Sequence, residues 1–158
     1  MADNNDLLAK SVFDTLCAAL DHDSWNYKKD AENLRIESGA RGEDLPIELN
    51  ISIQPKSGAV LLLSSIPVTT PEDKRIEMAV AVAVANNGMR WGNFDYNVAD
   101  GRIFFRMAGS YLGNLLGEEF FKNMLYTGCS TIDRYNDRFL MLAKGLLTLE
   151  KFVELDQQ

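Results

Sequence analysis

Four aliphatic side chains, Ile47, Leu49, Ile51 and Ile53, alternate with Glu48, Asn50, Ser52 and Gln54. A period of two puts the first set on one face of a strand and the second on the other, so the chain must supply something to cover the apolar side. Pro55-Lys56-Ser57-Gly58 carries turn chemistry, and Ala59 to Ile66 returns as a strand apolar enough to lie centrally in a sheet. The cover is helical. Leu7, Leu8, Val12, Phe13, Leu16, Cys17 and Leu20 recur at the helical interval up to Asp21-His22-Asp23. From about Gly117, Phe120, Phe121, Met124, Leu125, Ile132, Tyr135, Phe139 and Leu142 do the same and read as one long helix. Gly128 inside it costs about 1 kcal/mol relative to alanine, which marks either a break or, the favoured reading, close packing of another element.

Other segments have weaker signals. Trp25 and Tyr27, then Leu34 and Ile36, alternate with polar residues as short strand pieces, and a loop rich in glycine and charge is expected from Ser38 to Leu45. Ile76 to Ala85 alternates like a strand, but its flanks favour a helix: Thr70 as N-cap, Pro71 at the first position, acidic residues after it, and Asn87-Gly88 as the stop. Asp100-Gly101 predicts a hairpin with a two-residue type I′ turn. That register sets Val98 against Ile103, Tyr96 against Phe105 and Phe94 against Met107 on one face, with Asp95 against Arg106 and Asn97 against Phe104 on the other. A loop two residues longer keeps both faces, because only a shift of one residue exchanges them. Thr148 is the expected N-cap of a short last helix. The result is an α+β chain in the order α-β-β-β-α-β-β-α with a further short helix, expected as a single domain over 1–158 with its core in about 7–145 and the last helix at about 148–155.

Charge narrows the partners. Lys and Arg number 16 against 23 Asp and Glu, a net charge of −7 with no basic cluster, which disfavours nucleic acid. The longest apolar run, Met78 to Ala85, is far short of the ~20 residues of a membrane helix, so no membrane anchor is expected. Met1 to Asp6 is polar and acidic, unlike a secretory signal, and a cytoplasmic location is the expectation. Cys17 and Cys129 have no metal-ligand or CxxC spacing and read as structural thiols.

No catalytic or metal-binding set emerges. His22 is the single histidine and stands between two aspartates at a helix end, as a solvated turn residue does. Asp95, Asn97 and Asp100 lack the spacing and the following glutamate of a calcium loop. Gly109, Gly113 and Gly117 match no phosphate-binding pattern and read as a linker before the long helix. Ser110 and Ser130-Thr131 have no partnering base, and Glu118-Glu119 suit the first turn of a helix. The candidate surface is the polar face of the second hairpin, where Arg102, Phe104 and Arg106 lie beside Asn93, Asp95 and Asn97. An aromatic between two arginines has the make-up of an interface anchor, set against an ordinary cross-strand pair or burial under the long helix or a dimer mate.

The segments Ile66-Pro67, Pro71-Glu72, Ala85-Asn86-Asn87-Gly88, Gly92-Asn93-Phe94-Asp95-Tyr96 and Asp100-Gly101-Arg102-Ile103-Phe104-Phe105-Arg106 resemble the YbjN-type family of bacterial sensory-transduction regulators, over most of residues 7 to 145. That family is similar in fold to the dimeric chaperones of type III secretion. The resemblance implies a twisted antiparallel sheet with helices packed mainly on one side, no cofactor, and a non-enzymatic, protein-binding or regulatory role as a homodimer. The alternative is a small-molecule sensor or enzyme with an acidic pocket.

Overall fold

The computed structural model describes residues 4–158; Met1 to Asp3 of the acidic N-terminus lie outside the described residues. The elements are α1 (Asn4–His22), β1 (Tyr27–Asp30), β2 (Arg35–Arg41), β3 (Pro46–Gln54), β4 (Ala59–Thr69), α2 (Arg75–Asn86), β5 (Asn93–Asn97), β6 (Arg102–Ser110), α3 (Glu118–Ala143) and α4 (Leu149–Asp156). This is the expected α+β arrangement, with the strand pieces around Tyr27 and Ile36 forming β1 and β2. The strands make one antiparallel sheet in the order β1-β2-β3-β4-β6-β5. Among the described residues no helix is long and apolar enough to cross a membrane.

One face of the sheet carries the core. Ile47, Leu49, Ile51 and Ile53 of β3, Val60 and Leu62 of β4, and Ile103, Phe105 and Met107 of β6 are all buried there, as the period of two requires. The helices cover that face. In α3 an unbroken run of 26 residues presents Phe121, Met124, Leu125, Ile132 and Phe139 inward. Gly128 does not break it. A Cβ built there meets Leu62 Cδ1 and Phe105 Cε1 at 3.6 Å, ordinary contact, so the helix lies close on the sheet without needing glycine. Phe94 joins the layers, with its ring 5.3 Å from Phe105, 5.5 Å from Tyr135 and 5.1 Å from Phe139. Phe152 brings α4 onto this cluster, 5.6 Å from Phe139, and Thr148 caps α4 as expected by accepting from the Lys151 N–H at 3.2 Å.

Four local expectations are corrected. The Ser38–Leu45 loop is shorter, because β2 runs through Arg41, paired as Ser38 to Leu49, Ala40 to Ile47 and Arg41 to Pro46. The β3 ladder outweighs the weak strand preference of Gly39 and its charged neighbours. Thr70 does not cap α2. Its N–H donates to Gly101 O at 2.9 Å, which holds it as an extension of β4, and a 3₁₀ turn at Glu72–Lys74 precedes the helix. The second hairpin is two residues out of the expected register: Phe94 pairs with Phe105, Tyr96 with Ile103, Asp95 with Phe104 and Asn97 with Arg102. Its loop is 98–101. Only Gly101 there has positive φ, whereas type I′ needs two such residues, and Asn97 Oδ1 accepts from Ala99 N–H at 3.0 Å to close the longer turn. Both faces are kept. Finally, Gly109 belongs to β6, not to a linker, and a Cβ there falls 2.5 Å from Phe120 Cζ, where α3 starts against the strand.

The free edge of β5 is closed by a side chain. Asn86, the last residue of α2, accepts from Phe94 N–H through Oδ1 at 2.7 Å and donates from Nδ2 to Phe94 O at 2.9 Å. The amide mimics one step of a neighbouring strand and denies it to other chains. Replacing Asn86 by Ala leaves both Phe94 groups unpaired and is expected to lower unfolding free energy by about 1–3 kcal/mol in urea denaturation. Gly128→Ala, in contrast, is expected to raise it by up to about 1 kcal/mol, seen as a higher melting temperature; a lower one would mean that α3 lies tighter on Leu62 and Phe105 than ordinary contact.

Candidate functional site

All the sequence-selected surface residues lie on the sheet face opposite the helices. Alternation on β6 puts Arg102, Phe104, Arg106 and Ala108 there, and the register brings Asn97, Asp95 and Asn93 of β5 beside them. Phe104 is therefore not under α3. It is half-buried by its own sheet neighbours, with Ser65 on one side and Asp95 on the other.

The charges on the β5–β6 part of this face are matched among themselves. Arg106 grips Asp95 with two bonds, Nε to Oδ2 at 3.0 Å and Nη2 to Oδ1 at 3.1 Å, and Asn93 Nδ2 donates to Asp95 Oδ1 at 2.7 Å. Arg102 pairs with Asp100 at 2.7 Å, and its guanidinium carbon stands 5.5 Å from the centre of the Phe104 ring. Hydrogen bonds from the Arg102 side chain and backbone hold the Asp100 carboxyl below the usual carboxylate range. Each acidic residue of the rejected calcium pattern thus has a guanidinium partner, while Asn97 closes the hairpin turn.

Pairing off the charges leaves an apolar stripe. Leu61 and Leu63 of β4 are half-buried on this face, next to Ala108 and Arg106 of β6 and across from Ser52 and Asn50 of β3. Sequence reasoning placed β4 at the sheet centre and did not name these leucines as surface. The signal was present: Leu61-Leu62-Leu63 is apolar on both faces, unlike β3, and an antiparallel strand with one solvated face alternates.

Shallow hollows extend the stripe across the sheet. One of 640 Å³ lies over β1, β2 and β3 between Lys28, Glu37 and Asn50. The next, of 470 Å³, shares those three residues and reaches Leu61 and Leu63. A third, of 540 Å³, continues from Leu61 to Asn93 and Arg106. Together they trace a furrow bordered by residues of all six strands, roughly 24 Å at about 4.8 Å per strand, which an extended segment of about seven residues spans; Phe104 stands beside it and lines none of the three hollows.

The other residues singled out by sequence are elsewhere. His22 is exposed and paired, its Nδ1 lying 2.6 Å from Glu118 Oε2. Burial raises the thiol of Cys17, beside Lys29 and Tyr27, and pushes that of Cys129 up to about 11. Ser110 Oγ donates to Gly58 O at 3.3 Å, and Glu118 and Glu119 occupy the first turn of α3. Among the described residues there is no group of three or more His, Cys, Asp or Glu side chains able to hold a metal ion.

Two solved structures share this fold. A chain of the HopA1–SchA chaperone–effector complex superposes with a TM-score of 0.59 at 11% identity, over 87% of this chain and 99% of that one. YbjN from E. coli, described as "a putative transcription regulator", does so with a TM-score of 0.57 at 12% identity, over 84% of this chain and 91% of that one. No curated protein matches in sequence. Residues 13–141 match the YbjN family, "Putative bacterial sensory transduction regulator", and the chain belongs to that family.

Proposed function

We propose that the chain is a non-enzymatic, cytoplasmic protein-binding module of regulatory kind, similar to the type III secretion chaperones, which takes an extended segment of its partner along the furrow on the open sheet face. The observation that carries this reading is the stripe of Leu61, Leu63 and Phe104, half-exposed on a sheet face that no helix among the described residues covers. Apolar surface of this kind, framed by paired charges, gains free energy when a partner excludes water from it. Arg102, Arg106, Asn93 and Asp95 supply the polar frame, and Phe104 the anchor. The fold shared with a chain of a chaperone–effector complex supports a protein as the occupant.

The homodimer belongs to the same reading and uses a different surface. On α2, Ile76 is 73% and Val80 44% exposed, and Ala83, one turn further along the same stripe, is exposed too. With Asn86 closing the β5 edge beside it, a second copy docks through the helix face and not by strand addition at β5.

Two measurements separate these surfaces. Leu63→Ser with Phe104→Ala is expected to shift the unfolding free energy by no more than about 1–2 kcal/mol, because neither residue is core. The pair should also abolish retention of a specific protein that the wild type captures from cell lysate. Loss of several kcal/mol, or undiminished capture, would overturn the assignment of the open face. In light scattering the wild type should have the mass of two chains and Ile76→Glu/Val80→Glu that of one; a wild-type monomer would remove the dimer from the proposal.

A further inference from the structure

On the helical side of the molecule, far from the open sheet face, a polar cleft of 320 Å³ lies between the end of α2, the outer side of α3 and the last turn of α4. The volume is within the range of small-molecule sites. Its walls are Ala85, Asn87, Gly88 and Met89 from α2 and the turn after it, Ser130, Thr131 and Arg134 from α3, and Asp156 from α4, with Tyr135 at the back.

The cleft holds two opposite charges that are kept apart. Arg134 stacks its guanidinium on the Tyr135 ring, 5.4 Å from the ring centre, and forms no ion pair among the described residues. Asp156 Oδ1 accepts from the Tyr135 hydroxyl, and Asp156 likewise forms no ion pair among those residues. Tyr135 itself is 5% exposed, and burial followed by the bond to Asp156 pushes its hydroxyl up to about 12, so it stays a donor at neutral pH. Arg138 stacks on the same ring at 5.6 Å and helps to hold it. The tyrosine thus stands between the Arg134 guanidinium and the Asp156 carboxylate, with Arg138, which does not line the cleft, as a second cation on its ring. The carbonyl end of α2 adds negative potential on one side of the cleft, and the hydroxyls of Ser130 and Thr131 add hydrogen-bonding capacity on another.

A simple anion meets Arg134 but is repelled by Asp156 and the α2 carbonyl end; a simple cation meets the reverse. A ligand carrying both charges satisfies both poles. We propose that this cleft binds a small zwitterion of the α-amino-acid class, its carboxylate on Arg134, its ammonium toward Asp156 and the carbonyl end of α2, and its side chain on Ala85 and Met89. Asp156 lies beyond the family-matched residues 13–141, so the appended helix α4 completes the site. Ligand binding would tie α4 to α2 and is independent of the open face.

The test is titration of the full chain with L-alanine, L-valine and L-leucine, followed by ¹H–¹⁵N correlation spectra, with acetate and methylammonium as half-ligands. The expected result is saturating shifts at the Gly88, Ser130, Thr131 and Arg134 amides from at least one amino acid, with both half-ligands at least about tenfold weaker, a difference of about 1.4 kcal/mol. Arg134→Gln and Asp156→Asn should each weaken binding by a similar factor while the rest of the spectrum stays superimposable, and Phe104→Ala should leave it unchanged. No saturating shift from any of the three amino acids, acetate binding as well as they do, or unaltered binding by both cleft variants would overturn the proposal.

Discussion

Where α3 crosses the middle of the sheet, Leu62 of β4 and Phe105 of β6 lie directly beneath Gly128. Those strands are neighbours in space but are separated in the chain by α2 and β5, so the ladder between them closes the longest loop between paired strands. Closing it costs chain entropy that only side-chain burial offsets. The aromatic cluster of Phe94, Phe105, Tyr135 and Phe139 provides that burial and also receives Phe152, so α4 packs on a surface that α3 and the sheet make together. Asn86 ties the end of α2 to the backbone of Phe94 in the same place.

Putting every helix on one face has a consequence for the other. A six-stranded antiparallel sheet can leave a face to water if that face is polar, and β3 with Glu48, Asn50 and Ser52 obeys this. Leu61 and Leu63 do not. On the β6 side their neighbours pair the charges, Arg106 with Asp95 and Arg102 with Asp100, while Lys28, Arg35 and Glu37 on the β1–β2 side form no ion pair among the described residues. The open face is thus suited to a partner's apolar side chains in a way that the sheet edge at β5, closed by Asn86, is not.

The two proposed sites draw on different physics. The open face offers apolar area and a long shallow path, with specificity left to the frame of arginines and amides. The cleft at α4 offers little apolar area beyond Ala85 and Met89 and would rely on the opposite charges of Arg134 and Asp156, which discriminate by the number and sign of ionic groups on a ligand. Tyr135 connects the cleft to the core through its ring and to α4 through its hydroxyl, so occupancy there bears on the packing of the last helix.

From the amino-acid sequence alone, periodicity determined which residues of β3, β5 and β6 share a face, where α1 and α3 lie, and that Arg102, Phe104, Arg106, Asn93 and Asp95 stand together, while flanking residues placed α2 against its own strand-like alternation and marked Thr148 as the cap of α4. These are local properties: a period of 2 or 3.6 is written in consecutive side chains and survives a register error of two residues, as the second hairpin demonstrates. Only the tertiary structure decided the register itself, the extension of β2 through Gly39, the backbone role of Thr70, the Asn86 clamp on Phe94, and the adjacency of Leu61 and Leu63 to β6. Each of those is a pairing between distant segments, chosen by which ladder and which packing buries most surface with its polar groups satisfied, and no window of neighbouring residues contains that comparison.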